Sequence, residues 1–596
     1  MMSEKIVKTY QAVIAELTFN TALHVGTGRD NPGTDAPVRC TNAGELVIPG
    51  TAIAGALRTL ATRMAPCMGL KAKREACVEL LSKEDRPSME EDTCGCAVCH
   101  LFGEFYPNKK TAKTEGGRAS RLWIYDAKCL AAPRPFVRDG VGIDRRTGVA
   151  ASAAQVKFDT EVVPAGAKFE LRLEMEDIND DDIKLLAATL TEWQAGRAWL
   201  GGNTGRGLGN AKLDNIRFMR NALSSGEELL AYLKEDDPKN SASEDKGWFP
   251  QKITNARENS KPGFKGKNRP FIAASFQLAF DGPFLMHDAT AATVVGFDHL
   301  PLLDGVPGFD EKPRAPIMAG SGLRGVLRSH AERIARTITS FNAYNQDKGN
   351  AGRLFLEKCP ACNPLENDSK KPLTRCDELI TDDHAKENPK DEHLCLGCLL
   401  FGSTVLGSRL KVMDAKLLGE PRWKPLDFLA IDRFTGGGLE GAKFDAMALW
   451  SPTFEVRLYL EEPENWELGW LALLLRDMRD KHLTFGFGAA KGFGNAQAQQ
   501  LEIQCGFLRD DDWKDGDQNI DFSKNEVTGE DDTGFYRVAK FTAADWEAHN
   551  SIVSNWVKSF HGKLQSVKRD TNAVEAREKD SYFDDEIDKL YPLMGA

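Results

Sequence analysis

Ile48-Pro-Gly-Thr-Ala-Ile-Ala-Gly-Ala-Leu-Arg58 and Ile317-Met-Ala-Gly-Ser-Gly-Leu-Arg-Gly-Val-Leu-Arg328 are two versions of one pattern. In each, a turn gives way to apolar residues at helical spacing. Ile53, Ala56, Leu57, Leu60 and Met64 trace one face in the first version, and Thr51 or Ser321 stands where a cap is expected. Further correspondences follow in the same order. Cys96-x-x-Cys99-His-Leu-Phe-Gly103 answers Cys395-x-x-Cys398-Leu-Leu-Phe-Gly402, and Arg121-Leu-Trp-Ile-Tyr-Asp-Ala127 answers Arg409-Leu-Lys-Val-Met-Asp-Ala415. Ile143-Asp-Arg-Arg-Thr-Gly148 answers Ile431-Asp-Arg-Phe-Thr-Gly436, and Lys-Phe-Asp follows each, at 157–159 and 443–445. Gly205-Arg-Gly-Leu-Gly-Asn210 answers Ala490-Lys-Gly-Phe-Gly-Asn495. Collinear matches of this kind mean two copies of one domain in tandem.

Each copy opens on a strand-like run, Tyr10–Phe19 or Phe271–Phe280, bounded by turn residues. A second amphipathic helix carries Ile183, Leu186, Leu190 and Trp193, or Trp466, Leu471, Leu474 and Met478. Strand, helix, strands, helix, strand is a ferredoxin-like split βαβ, the layout of RNA-recognition modules. The expected fold class is therefore α+β, with two tandem RRM-like domains. The expected boundaries are 1–219 for the first domain, 220–268 for a polar linker, 269–505 for the second domain, and 506–596 for an acidic, partly helical C-terminal extension. Two insertions hang from each copy. One bears cysteines (67–103 and 355–402), and the other is rich in Pro, Gly and Arg (131–166 and 420–452).

At 596 residues, each half is long enough to bury its own core. With 41% hydrophobic and 28% charged residues the chain reads as globular. Its strongest apolar run, 468–475, is far too short to span a bilayer. The N-terminal residues have no apolar signal core, so the expected compartment is the cytoplasm. Thirteen cysteines in a reducing compartment point to metal or free thiols. A net charge of −11 argues mildly against a nucleic-acid partner, but residues 506–596 alone hold 20 acidic and 12 basic side chains. The overall charge thus says little about a local basic groove.

Cys359-Pro-Ala-Cys362 and Cys395-Leu-Gly-Cys398 are paired knuckles of the kind that present thiolates to tetrahedral zinc. Cys376 is one more thiol between them. In the first copy Cys96 and Cys99 align with Cys395 and Cys398, and Cys67 and Cys94 are the candidates to complete the set. Both zinc sites are expected to be structural, because four protein ligands leave no position for a reactive water.

Gly201-Gly-Asn-Thr-Gly-Arg-Gly-Leu-Gly209 is not a dinucleotide fingerprint, since it follows a helix and enters a strand. It is either a tight turn packed on the sheet or a loop tracking phosphates, with Arg206 and Lys491 at matched positions.

The helix pattern, the Ile-Asp-Arg-x-Thr-Gly segments leading into Lys-Phe-Asp, and the terminal Gly-x-Gly-x-Gly-Asn resemble the RAMP proteins. In particular they resemble backbone subunits of type III CRISPR–Cas effector complexes, over roughly 10–215 and 270–500. Two units in one chain look like the tandem-RAMP subunit of subtype III-D. The resemblance implies RRM-like palms stacked along a guide RNA, with a β-hairpin thumb from each unit crossing it. Arg145 and Arg433 would sit on the thumbs, and Arg58, Arg324 and Arg328 on the guide-facing palm helices. Partners would be the guide RNA, a complementary target RNA, other RAMP backbone subunits and a large subunit.

In cleaving members of that family, a loop aspartate between the first strand and the palm helix cuts target RNA with a divalent metal. Gly33-Thr-Asp35-Ala-Pro-Val38 matches that pattern, and Gly296-Phe-Asp298-His-Leu-Pro-Leu302 matches it with one residue inserted before proline. Asp35 and Asp298 are thus the expected catalytic residues, with Mg²⁺ or a similar hard cation. Asp30, Asp288 and Asp304 are nearby alternatives. A purely structural backbone role is the competing reading. A processing nuclease built on histidine is disfavoured, because no histidine recurs at matched positions.

Overall fold

The computed structural model describes residues 8–28, 34–70, 96–106, 116–131, 133–144, 149–151, 157–176, 178–248, 251–252, 269–288, 292, 296–305, 314–366, 373–380, 394–508, 513–515, 518–520, 527–542 and 550–568. The first copy runs β1 (Lys8–Phe19), α1 (Gly50–Met64), α2 (Ala97–Phe102), β2 (Leu122–Ile124), β3 (Phe136–Val141), β4 (Lys157–Val162), β5 (Lys168–Met175), α3 (Asp180–Gln194) and β6 (Asn210–Leu223). A short helix, α4 (Gly226–Lys234), follows. The second copy repeats the order with β7 (Phe271–Phe280), α5 (Gly320–Gln346), α6 (Leu396–Phe401), β8 (Leu410–Val412), β9 (Trp423–Ile431), β10 (Gly438–Trp450), β11 (Thr453–Glu461), α7 (Asn465–Arg479) and β12 (Ala496–Phe507).

The main sheet of the first copy is ordered β2–β5–β1–β6, with antiparallel neighbours. The second is ordered β8–β11–β7–β12 in the same way. In both, the first strand lies between the last strand and the one before it, which is the ferredoxin-like arrangement. Strand β5 shows why a sheet forms. Phe169, Leu171, Leu173 and Met175 are buried and alternate with Lys168, Glu170, Arg172 and Glu174, the period of a half-buried strand. Helix α3 starts at a reciprocal cap, with Asp182 N–H donating to Asn179 Oδ1 and Asn179 N–H to Asp182 Oδ2, both at 2.9 Å.

The palm helices α1 and α5 are not capped by Thr51 and Ser321. Their first N–H groups, on Gly50 and Gly320, donate instead to Asp126 Oδ1 at 2.7 Å and Asp414 Oδ1 at 2.8 Å. These are the aspartates of the repeated Arg-Leu-x-x-x-Asp-Ala segment, which pairs with the residues just before each helix (Ile48 with Ala127, Met318 with Ala415) and so satisfies the helix terminus from the neighbouring strand.

The two copies share a joint. Trp199 of the first copy stacks at a tilt on Tyr459 of the second, 4.9 Å between centroids, and Tyr459 in turn lies 5.6 Å from Phe271. Buried beside them, Arg269 bonds Glu192 of α3 at 2.9 Å and pairs with Glu461 of β11. Arg197 bonds Glu192 and Asp531, each at 2.7 Å. Beyond β12 the chain is more than helix. A strand β13 (Arg537–Thr542) extends the second sheet alongside β12, and α8 (Asn550–Ser566) lies across α7. They meet at Gly469, where a Cβ would fall 2.1 Å from the Trp556 carbonyl oxygen. No helix among the described residues is long and apolar enough to cross a membrane.

Candidate nucleic-acid interface and metal centre

Strands β3 and β4 form an antiparallel hairpin on the first copy, and β9 and β10 form its counterpart on the second. Midway along each hairpin the structure brings together three motifs that are far apart in sequence. Asp159 N–H donates to Asp35 Oδ2 at 3.0 Å, and Asp445 N–H donates to Asp298 Oδ2 at 2.9 Å. The loop aspartate thus rests on the last residue of Lys-Phe-Asp in both copies. The phenylalanine of the same triplet meets the glycine-rich loop. Arg206 lies over the Phe158 ring at 6.0 Å, and Lys491 lies over the Phe444 ring at 4.4 Å.

The apparent insertion before the proline of the second loop disappears in three dimensions. Ala36 bridges Thr160 and His299 bridges Ala446 in parallel, while Val38 bridges Gly26 and Pro301 bridges His287. Asp35 and Asp298 therefore occupy one register, and the proline has moved by one place. Both side chains are exposed. Asp288, by contrast, is buried, and Asp304 is packed against the joint where burial raises its pKa. Asp30 lies outside the described residues.

Two further carboxylates stand by each loop aspartate. Asp139 pairs in register with Asp159, and Asp427 with Asp445. Asp139 Oδ2 and Asp159 Oδ1 are buried atoms with no donor. Asp139, by sharing a proton with Asp159, is the largest cause of a raised Asp159 pKa, followed by desolvation. In the second copy Asp427 turns to Lys443 at 3.4 Å instead. His299 replaces Ala36 there, edge-on to His287 with centroids 4.7 Å apart. Sequence reasoning missed Asp139 and Asp427, because only the hairpin register places them opposite Lys-Phe-Asp.

A model of the RAMP superfamily matches residues 16–212 and 301–497, more than half of the chain. The chain belongs to the RAMP superfamily. No curated protein matches it. For a RAMP protein, membership points to a CRISPR-associated, RNA-binding subunit.

The basic residues expected to face RNA divide sharply in this RAMP protein. Arg328 is buried. It donates to the Gly402 carbonyl at 3.0 Å and to Glu332 at 2.8 Å, and lies 3.7 Å from Cys398 Sγ. Arg58 repeats the contact in the first copy, donating to the Gly103 carbonyl at 3.0 Å with Cys99 Sγ at 3.6 Å. Arg324 donates to the Phe401 carbonyl. All three hold the C-terminal carbonyls of a cysteine-bearing helix against the palm helix, where a cation suits the negative end of a helix. Arg433 is exposed in the turn between β9 and β10. Asp432 accepts the Phe434 and Thr435 N–H groups at 2.8 Å and shapes that turn, leaving Phe434 99% exposed at its tip. Arg145 lies outside the described residues.

Cys362, Cys376, Cys395 and Cys398 are all buried, and their sulfur atoms lie within 4.8 Å of one another. A tetrahedral zinc–thiolate centre asks for S···S separations of about 3.8 Å, so the set fits such an ion. Arg328 reaches Cys398 Sγ, and Arg336 donates to the Ala361 and Cys362 carbonyls at 3.1 and 3.0 Å, positive charge that favours thiolates. The expected ligand Cys359 is not in the set. Its thiol faces the Ala361 carbonyl at 3.3 Å, in a small apolar cluster with Ala343, Phe355 and Leu373. Cys376 takes its place, from a four-residue helical turn. In the first copy Cys67, Cys96 and Cys99 are buried but form no such group among the described residues, and Cys94 lies outside them.

Proposed function

We propose that the chain is a two-unit backbone subunit of a cytoplasmic type III CRISPR effector complex, similar to subtype III-D, that binds guide RNA and cleaves complementary target RNA at Asp35 and Asp298. The observation that carries this reading is the duplicated site. Two exposed carboxylates sit in one register, each seated on the backbone of a hairpin strand, next to the phenylalanine over which a basic residue of the glycine-rich loop lies. A solvated turn aspartate has no reason to recur with the same backbone donor in both copies. The hairpins would be the thumbs, with Arg433 and Phe434 at one tip. Desolvation and the nearby Arg328 charge lower the Arg206 pKa, an excess of positive charge that suits a phosphate. The other partners would be neighbouring RAMP subunits and the large subunit.

In the proposed reaction the Asp159 or Asp445 N–H fixes one oxygen of the loop carboxylate. The other oxygen is left to accept the 2′-hydroxyl proton of a splayed nucleotide, whose 2′-oxygen would bond to the adjacent phosphorus as the P–O5′ bond breaks, leaving a 2′,3′-cyclic phosphate and a 5′-hydroxyl protonated from water. Asp35 with Asp139 and Asp159, and Asp298 with Asp427 and Asp445, are the oxygen donors that would hold a hydrated divalent cation, which keeps most of its waters and takes one or two carboxylates. When bound, that cation supplies charge neutralisation at the phosphate. The four-cysteine centre would hold zinc, and its closed ligand set gives it a structural role.

The test is cleavage of end-labelled complementary RNA by the complex assembled on its guide with Mg²⁺. Asp35→Ala and Asp298→Ala are each expected to erase one band and leave binding intact. Persistence of both bands in the double variant would sink the assignment and favour a purely structural backbone.

A further inference from the structure

The joint inside this chain is made by an outgoing face on the first copy and an incoming face on the second. On the outgoing side, Gly207 (φ +102°) lies against Gly320, where a Cβ on Gly207 would fall 2.9 Å from Gly320 Cα. Gly205 faces Ser408, and Thr204 Oγ1 accepts a hydrogen bond from Lys411 Nζ at 3.3 Å. Arg138 crosses to Asp414 at 2.6 Å and Asp304 at 3.8 Å. Each copy owns both faces, so among the described residues two are left uncovered: outgoing on the second copy and incoming on the first. No described residue lies within 4 Å of a Cβ on Gly492, while Trp123 and Tyr125 are 55% and 40% exposed.

The fold fixes which residues correspond. Gly492 closes the turn Ala489–Lys491 as Gly207 closes Thr204–Arg206. Ser120 Oγ donates to the Leu122 carbonyl at 2.7 Å, and Ser408 Oγ to that of Leu410 at 2.6 Å. Asp126 caps α1 as Asp414 caps α5. Leu426 precedes Asp427 as Arg138 precedes Asp139, and the bridges Cys40–Leu46 and Leu303–Pro316 align Thr41 with Asp304.

Transferring the joint to a second chain keeps the glycine pair, as Gly492 and Gly50, but fails at the other three contacts. Ala490 stands where Gly205 must be, and in the internal joint a Cβ there would fall 2.7 Å from the serine Cβ. Ala489 replaces Thr204 and Trp123 replaces Lys411, so the hydrogen bond is gone. Leu426 replaces Arg138, opposite Asp126 and Thr41 in place of Asp414 and Asp304, so the ion pair is gone too. We infer that the open outgoing face of the second copy rejects another copy of this chain. It takes a different unit of the same fold, one with glycine at the place of Ser408 and no acid needing an arginine opposite Leu426. A heterologous joint that could have run on as a fibre is closed after one repeat by its own residues. This stands on the internal joint and holds whether or not either site cleaves RNA.

The test is the light-scattering mass of the nucleic-acid-free full chain against concentration. The wild type is expected to remain one chain throughout. A variant carrying Thr41→Asp, Trp123→Lys, Leu426→Arg, Ala489→Thr and Ala490→Gly rebuilds the internal joint at the open ends. It should give masses at integer multiples that grow with concentration, and Ala490→Trp in place of Ala490→Gly should return it to one chain. A correctly folded rebuilt variant that stays monomeric overturns the proposal. So do wild-type multimers that Ala490→Trp dissolves.

Discussion

A carboxyl group facing another holds its proton to higher pH, and Asp159 faces Asp139 across a hairpin. Its pKa in the folded chain lies above the ordinary 3.8, so the native state binds that proton more tightly than the unfolded chain does. The stability this gives is present below about pH 4 and fades as pH rises through the folded value. Asp139→Asn should therefore raise the melting temperature at pH 7 and leave it unchanged at pH 3, as thermal denaturation will show. The cysteines give a second prediction at this scale. Cys376→Ser should abolish bound zinc and Cys359→Ser should leave it in place, measured as metal per chain. Both cases show what sequence hides. Cys-x-x-Cys spacing marks local pairs, yet the fourth thiol is recruited by the fold from a helical turn with no motif of its own. Arg58 and Arg328 look like surface cations in the repeat, yet they serve the ends of neighbouring helices.

At the scale of elements, the repeat made the β-α-β architecture legible, because apolar periodicity is local and was written twice. What periodicity could not reveal was which loop supports which helix, as with Asp126 and Asp414. The glycine-rich loop is another instance, because its two copies look alike but do different work. Gly207 and Gly492 both have positive φ, so alanine at either costs about 1–2 kcal/mol in backbone strain. Among the described residues Gly207 alone of the two also meets another element, so Gly207→Ala should lower stability well beyond Gly492→Ala in denaturant titrations. Lys411, half-buried in the same joint, has its pKa lowered to about 8, first by desolvation and then by Arg63 and Arg324. Between pH 8 and 10.5 the unfolded chain holds a proton that the folded chain has released, so stability should climb across that window. The gain is on the order of 3 kcal/mol at its top, and Lys411→Met should flatten the slope.

For the whole molecule, the buried group Arg197–Glu192–Arg269–Glu461 ties both copies and the C-terminal segment into one body. Glu192→Ala would take a shared carboxylate from two buried guanidinium groups, leaving Arg197 only Asp531 and Arg269 only glutamates of the second copy, and should cost about 3 kcal/mol, read as a lower denaturation midpoint. Nothing in the sequence announced this group, whose members lie between positions 192 and 461 and meet only through folding. A joint built from glycine against glycine and buried arginine is also no hinge. The separation of Asp35 from Asp298 is then a constant of the covalent chain, insensitive to how many neighbours assemble beside it. If both loops act on RNA as proposed, such a chain would work as a fixed gauge: a strand laid across both loops would be sampled at two points whose spacing the protein, and not the strand, decides.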